Sequence, residues 1–208
     1  REVDALLVVD GTQSVGALPF ELDRVRPDAL VVAGYKWLLG PYATTLAWYG
    51  PTFDQGTPLE ESWIAREGSR DFAGLVNYRD GYEPGAVRYD VGERSNFVLV
   101  PMLLAALELL QSWGGPGAVA AHGRRLQPSF LAWARDRGFG VDDEGAQAPH
   151  LFGIGLDAGS DPARVSQALA AQGFSLSVRG RALRISLHLW NEEAELDGLA
   201  EALEEATR

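Results

Sequence analysis

Ala5-Leu6-Leu7-Val8-Val9-Asp10-Gly11-Thr12-Gln13-Ser14 and Ala29-Leu30-Val31-Val32-Ala33-Gly34-Tyr35-Lys36-Trp37 are the stretches that decide the fold. Each opens as a short, uninterrupted apolar run, the pattern of a strand covered on both faces of a parallel sheet. The first run ends at Asp10 and a polar turn, the second just before Gly34 and Lys36. In open α/β sheets the carboxyl ends of the strands are where ligands are met. In a parallel pair both ends fall on one rim, so Asp10, Gln13 and Lys36 can converge there. A carboxylate and an amine so placed have a specific chemical use: the amine forms a Schiff base, and the acid keeps a pyridine nitrogen protonated.

Working outward, Thr44 to Tyr49 reads as a third strand between Gly40-Pro41 and Gly50-Pro51, expected to join a mostly parallel sheet. Pro51 to Asp90 lacks periodicity and reads as a long surface excursion, the kind of segment that carries function. Pro101 to Trp113 is apolar on nearly every face and stops at Gly114-Gly115-Pro116, which predicts a buried helix ended by helix breakers. Beyond it, amphipathic helices alternate with short strands. A helix around Ala118 to Arg137 is expected to be interrupted at Pro128, followed by a strand near Leu151 to Leu156 and a helix from Pro162 to Gln172. Strands at Phe174 to Val178 and Leu183 to Leu187 come next. A closing helix has Asn191 as its N-cap and buries Leu196, Leu199, Ala200 and Leu203. The fold class expected is α/β: a partial, mostly parallel sheet over 1–100, a linking helix over 101–116 and a small α+β domain over 117–208. Because the chain opens almost directly on an apolar strand, with little to pair or cover it, it is expected to be the tail of a longer one.

Composition removes several classes of function. The net charge of -11 leaves no basic surface for a phosphate backbone, so no nucleic-acid partner is expected. The longest apolar stretch, Phe97 to Leu107, is shorter than the roughly 20 residues needed to span a bilayer, and no membrane association is expected. The first residues lack the features of a signal peptide, and there is no cysteine for a disulfide or thiolate site, which fits a cytoplasmic setting. His122, His150 and His188 show no metal-ligand spacing, so no metal is expected.

Asp10-Gly11-Thr12-Gln13-Ser14-Val15-Gly16, then Gly34-Tyr35-Lys36-Trp37 with Gly40-Pro41, then Leu183-Arg184-Ile185-Ser186 with Trp190-Asn191, resemble the class V aminotransferase family of pyridoxal-phosphate (PLP) enzymes of fold type I. The resemblance runs through nearly the whole chain, in order and spacing, and matches the C-terminal part of such enzymes. It implies pyridoxal 5'-phosphate as cofactor, with Lys36 forming the Schiff base and later moving the α-proton as acid and base. It implies that Asp10 pairs with the pyridinium nitrogen, Gln13 hydrogen-bonds the ring's phenolic oxygen and Thr12 packs on one ring face. Arg184 would bind the substrate α-carboxylate through its planar fork. Arg179 and Arg181 lie close enough to share that role. Where many relatives carry a serine and a histidine before the lysine, this chain has Ala33 and Tyr35, which leaves the Tyr35 hydroxyl to touch the phosphate. The turn that first grips the phosphate and the aromatic that stacks on the ring belong, in the family, to sequence upstream of Arg1.

The function implied is a PLP-dependent enzyme acting at the α-amino group of a small amino acid, as an aminotransferase, lyase or epimerase. Cysteine desulfurases of this family use a cysteine between the lysine and the arginine, and its absence here disfavours a persulfide mechanism. Gly92 to Asn96, matching a stretch that relatives donate across a subunit interface, implies a homodimer; Arg88 and Tyr89 either reach such an interface or close a loop. Two other readings stand beside this one: a non-catalytic fragment of such an enzyme, and a nucleotide-binding α/β protein, although no Gly-x-Gly-x-x-Gly loop joins a strand to a helix.

Overall fold

Backbone pairing turns the two apolar runs into β1 (Val8–Asp10) and β2 (Ala29–Ala33), which run parallel with Val8 opposite Ala29 and Asp10 opposite Val31. β1 is shorter than its apolar run because Asp28 takes over ahead of it. The Asp28 N–H donates to the Leu7 carbonyl at 2.7 Å, and its carboxylate accepts from the Leu7 N–H at 2.6 Å. The structure is a computed structural model that describes residues 3–208. It divides into two compact units, one holding the chain up to Gly16 together with Phe20–Ser112, the other Ala17–Pro19 and Trp113–Arg208.

In the first unit the sheet order is β1-β2-β3, with β3 spanning Thr45–Tyr49. β3 pairs antiparallel with β2, Ala33 opposite Thr45, which corrects the expectation of a third parallel strand. The reason is the connection: residues 34–44 hold no crossover helix, and left-handed turns at Leu39 and Ala43 bring the chain straight back beside β2. Leu30, Val32 and Leu38 are buried together, with Val9, Val15, Trp48 and Leu107 packed on them. β1 departs from the two-face-covered pattern. It is the outer strand of the described sheet, and Val8 is 58% exposed.

A short helix, α1 (Leu22–Val25), links β1 to β2, and a run of 3-10 turns between Pro51 and Tyr89 makes up the long excursion. The unit closes with α2 (Leu99–Ser112). This helix was expected to be buried all round, and it is not: Leu103 and Leu110 are buried while Val100, Met102, Leu104 and Leu109 are exposed. Its apolar residues encircle the axis, and the described residues of its own unit cover one side.

The second unit is an antiparallel sheet in the order β4-β6-β5, formed by Leu151–Gly155, Ala182–Ser186 and Ser177–Arg179. It packs with α3 (Gly115–Asp136), α4 (Pro162–Ala171) and α5 (Glu193–Ala206). Alternation sends Phe152, Ile154, Leu183 and Ile185 into the core beside Phe130, Leu169, Leu199 and Leu203. α3 runs unbroken through Pro128, against the expected interruption. A proline inside a helix costs about 3 kcal/mol, but a fully buried leucine or phenylalanine returns roughly 1.5–3 kcal/mol. Leu126, Phe130, Leu131 and Ala134, on both sides of Pro128, all lie in the core. α5 is capped by Glu192 and Glu195 in a reciprocal capping box, in place of the expected Asn191 cap. Asn191 is engaged otherwise: its Oδ1 accepts from the His188 N–H at 2.8 Å and its Nδ2 donates to Glu195 at 3.1 Å. No helix among the described residues is long and apolar enough to cross a membrane.

Candidate active site

The turn after β1 is built so that Asp10 stays ionised. Gly11 N–H donates to the Val31 carbonyl at 2.8 Å and places the turn against the end of β2. A Cβ there would meet Leu30 and Val15 side-chain carbons at 2.8 Å, so a larger residue would have to displace both. The next N–H, from Thr12, donates to Asp10 Oδ1 at 2.9 Å. Hydrogen bonds from the Thr12 side chain and backbone hold the Asp10 carboxyl below the usual carboxylate range, and the positive charge of Lys36 adds to the effect. The Thr12 oxygen also accepts from the Ala33 N–H at 3.1 Å, so this one hydroxyl links Asp10 to the end of β2.

Lys36 stands on a loop that closes on itself. Gly34 N–H donates to the Thr44 carbonyl and Gly40 N–H to the Gly34 carbonyl, both at 2.8 Å, while the Thr44 hydroxyl donates to the Pro41 carbonyl at 2.7 Å. A Cβ on Gly34 would collide with the Thr44 side chain. Leu39 and Ala43 take left-handed backbone angles, φ 58° and 63°, which non-glycine residues adopt at a cost. The turn they make stacks Tyr35 on Tyr42, ring centroids 4.3 Å apart and planes 19° from parallel. The Lys36 amine lies 5.9 Å from the centre of the Tyr35 ring. Trp37, next in sequence, is buried and donates its indole N–H to Gln13 Oε1 at 3.1 Å.

The structure thus brings Asp10, Thr12, Gln13, Tyr35 and Lys36 to one sheet rim in the first unit. Arg184 belongs to the second unit. It lies on β6 with Leu183 and Ile185 pointing to the core, so its own side chain takes the opposite face, between Gly153 of β4 and Ser177 of β5. Its Nη2 donates to Ser177 Oγ at 3.4 Å, and its buried Nε has no hydrogen-bond partner among the described residues. Arg181 is committed elsewhere, to the Ser160 carbonyl at 2.9 Å and to the Asp157 carbonyl. Arg179 is exposed and donates to the carbonyl of Val178 beside it.

Arg88 forms no ion pair among the described residues. It is buried and donates to the Glu83 and Gly56 carbonyls, each at 3.1 Å, while the Tyr89 hydroxyl donates to the Phe53 carbonyl. The pair therefore fastens the long excursion to itself. Gly92 N–H donates to Glu60 at 2.8 Å. His188 is buried, stacked on Trp190 at 3.9 Å, and accepts from the Leu189 N–H at Nδ1. Burial pushes its imidazole down to about 4, with the charge of His122 adding to it. Two features were missed in the sequence: the Trp37 to Gln13 bond and the Tyr35–Tyr42 stack. The signal for the first was a donor-only indole one residue after the lysine; the second depends on the left-handed turn at Leu39 and Ala43.

No protein-family model matches the chain. It is 28% identical over 212 residues to isopenicillin N epimerase of Streptomyces clavuligerus, an alignment covering 96% of this chain and 52% of that protein. Among solved structures it superposes on a cysteine desulfurase of Thermococcus onnurineus NA1 with a TM-score of 0.79 at 18% identity, covering 98% of this chain and 52% of the other. It also superposes on a mutant of the cystine C–S lyase C-DES with glycine covalently linked to the PLP cofactor, TM-score 0.77 at 23% identity, over 95% of this chain and 51% of the other. The chain therefore spans about half the length of the curated relatives it matches. The chain is thus similar in sequence to isopenicillin N epimerases, and its fold is that of about half of each of these solved enzyme chains.

Proposed function

We propose that the chain is the lysine-bearing part of a PLP-dependent enzyme that acts at the α-amino group of a small amino-acid substrate. The observation that carries this reading is the ionised Asp10 sharing a sheet rim with Lys36, close enough for the lysine charge to favour the carboxylate. The donor set fits the cofactor. A pyridinium nitrogen calls for a carboxylate, a phenolic oxygen for an amide N–H donor and an aldehyde for an amine; Asp10, Gln13 and Lys36 supply these.

When bound, the cofactor supplies an electron sink for the pair left on the substrate α-carbon. Asp10 would keep the ring nitrogen protonated, and Lys36 would carry the covalent link and then move the α-proton. Thr12, whose oxygen is already tied between Asp10 and Ala33, would border the ring, and the Tyr35 hydroxyl would reach the phosphate. Arg184 would hold the substrate carboxylate. Of the three reaction types, the epimerase relatives favour proton transfer at the α-carbon, and the absence of cysteine disfavours a persulfide route. The proposal extends to a homodimer, to a cytoplasmic setting, and to residues 1–100 as part of a cofactor-binding domain followed by a linking helix over 101–116 and a small domain over 117–208.

The test uses the full-length protein. It should turn yellow with PLP, bleach on borohydride and hold the reduced cofactor on the peptide containing Lys36, with Lys36→Ala abolishing the label. A panel of amino acids in D2O should then reveal one whose α-hydrogen exchanges. Colourless protein with no label at Lys36 refutes the reading.

A further inference from the structure

We propose that Trp37 is a positioning residue that fixes which end of the Gln13 amide faces the cofactor. The inference rests on the cofactor reading above and adds a residue to it. An indole N–H can only donate, whereas an amide carries an acceptor at one end and donors at the other. Trp37 Nε1 donates to Gln13 Oε1 at 3.1 Å, so the carbonyl end of Gln13 is turned to the indole and the NH2 end away from it. An oxygen that carries negative charge accepts hydrogen bonds, and only the NH2 end can serve it. A flipped amide would present one oxygen to another, which is repulsive.

The indole is itself held in place. Trp37 is 8% exposed, and its carbonyl packs against Gly16, a left-handed glycine at φ 98° where a Cβ would lie 2.5 Å from that oxygen. Leu38, the next residue, is part of the small core under β2. Trp37 therefore cannot swing away without disturbing both the turn after β1 and the Lys36 loop, so the amide orientation is set before any cofactor arrives. That is preorganisation of a donor by a neighbour that itself never touches the reacting atoms.

The effect is readable without turnover. With the cofactor bound, an N–H donated by Gln13 to the ring's phenolic oxygen would stabilise the charge on that oxygen after the Lys36 nitrogen gives up its proton, and so would lower the pH midpoint of the visible absorption band.

In full-length protein loaded with PLP, Gln13→Ala should raise that midpoint by about one pH unit, the scale of one hydrogen bond to a charged group. Trp37→Phe should raise it in the same direction, and adding Trp37→Phe to Gln13→Ala should move it no further, because Trp37 acts through Gln13. An unchanged midpoint in Gln13→Ala or in Trp37→Phe, or shifts that add in the double variant, would overturn the inference while leaving the cofactor reading intact. Wild-type protein that fails to label at Lys36 sinks both. Should Trp37→Phe not fold, indole N–H exchange in Gln13→Ala decides: the Trp37 indole resonance should lose protection, and an unchanged Trp37 resonance overturns the proposal.

Discussion

The hydroxyl oxygen of Thr12 accepts from the backbone N–H of Ala33 at 3.1 Å and so couples the turn after β1 to the end of β2. Thr12→Val keeps the shape of the side chain and removes the acceptor. The Ala33 N–H, which has no other place in the β2–β3 ladder, is then left unmet at a cost of about 1–3 kcal/mol. Thr12→Ser keeps the oxygen and should lie much closer to wild type. Urea denaturation of the three proteins checks the order, and Val and Ser variants of equal stability would contradict it.

Arg184 and Arg181 separate by their partners. Arg181 is spent on the Asp157 and Ser160 carbonyls, whereas Arg184, on the face opposite the core, keeps a buried Nε without a partner among the described residues. If the proposed function holds, Arg184→Lys in the full-length protein loaded with PLP loses the planar fork and should weaken amino-acid binding about tenfold to a hundredfold. Arg181→Lys should leave binding within about twofold and lower thermal stability instead. Spectral titration of the bound cofactor with substrate tells the two apart.

Much of the site's placement was legible in the sequence because it depends on local pattern. Apolar runs ending at Asp10 and before Gly34 locate the two strand ends, and parallel pairing of β1 with β2 does the rest. The direction of β3 was not legible. Thr45–Tyr49 reads as a strand whichever way it runs, and its reversal depends on left-handed turns at Leu39 and Ala43 that no residue preference announces. Pro128 misled because helix propensity is local, while the burial of Phe130 and Leu131 that overrides it is tertiary. At the start of α5, Asn191 and Glu192 could each cap, and the His188 N–H, from a turn whose course the sequence does not specify, claimed Asn191.

His188 links stability to pH. Its folded value lies near 4, below the ordinary 6.5, so between those limits the unfolded chain binds a proton that the folded chain refuses. Stability should be fully present above about pH 6.5 and fall as the pH drops toward 4, with a limiting slope of about 1.4 kcal/mol per pH unit that solvent screening reduces. His188→Asn offers an oxygen to the Leu189 N–H in place of Nδ1 and cannot titrate. It should flatten the pH 4.5–6.5 stability profile while losing the stacking on Trp190. A profile as steep as wild type would exclude His188 as its source.

Pro128 offers the sharpest test of how α3 is held together. As an interior helix residue it lacks the N–H that would bond one turn back, and proline is roughly 3 kcal/mol less favourable than alanine there. Against this, proline restricts the unfolded chain, worth about 0.4–1 kcal/mol to the folded state. The neighbouring Gln127 is buried and anchors the helix by donating to the Ala148 carbonyl at 3.0 Å, a contact that replacement of Pro128 does not remove. The balance favours alanine, so Pro128→Ala should stabilise the protein by about 2 kcal/mol in urea denaturation. A neutral or destabilising result would mean that Pro128 is needed to shape the helix, and that core burial alone does not carry it through that turn.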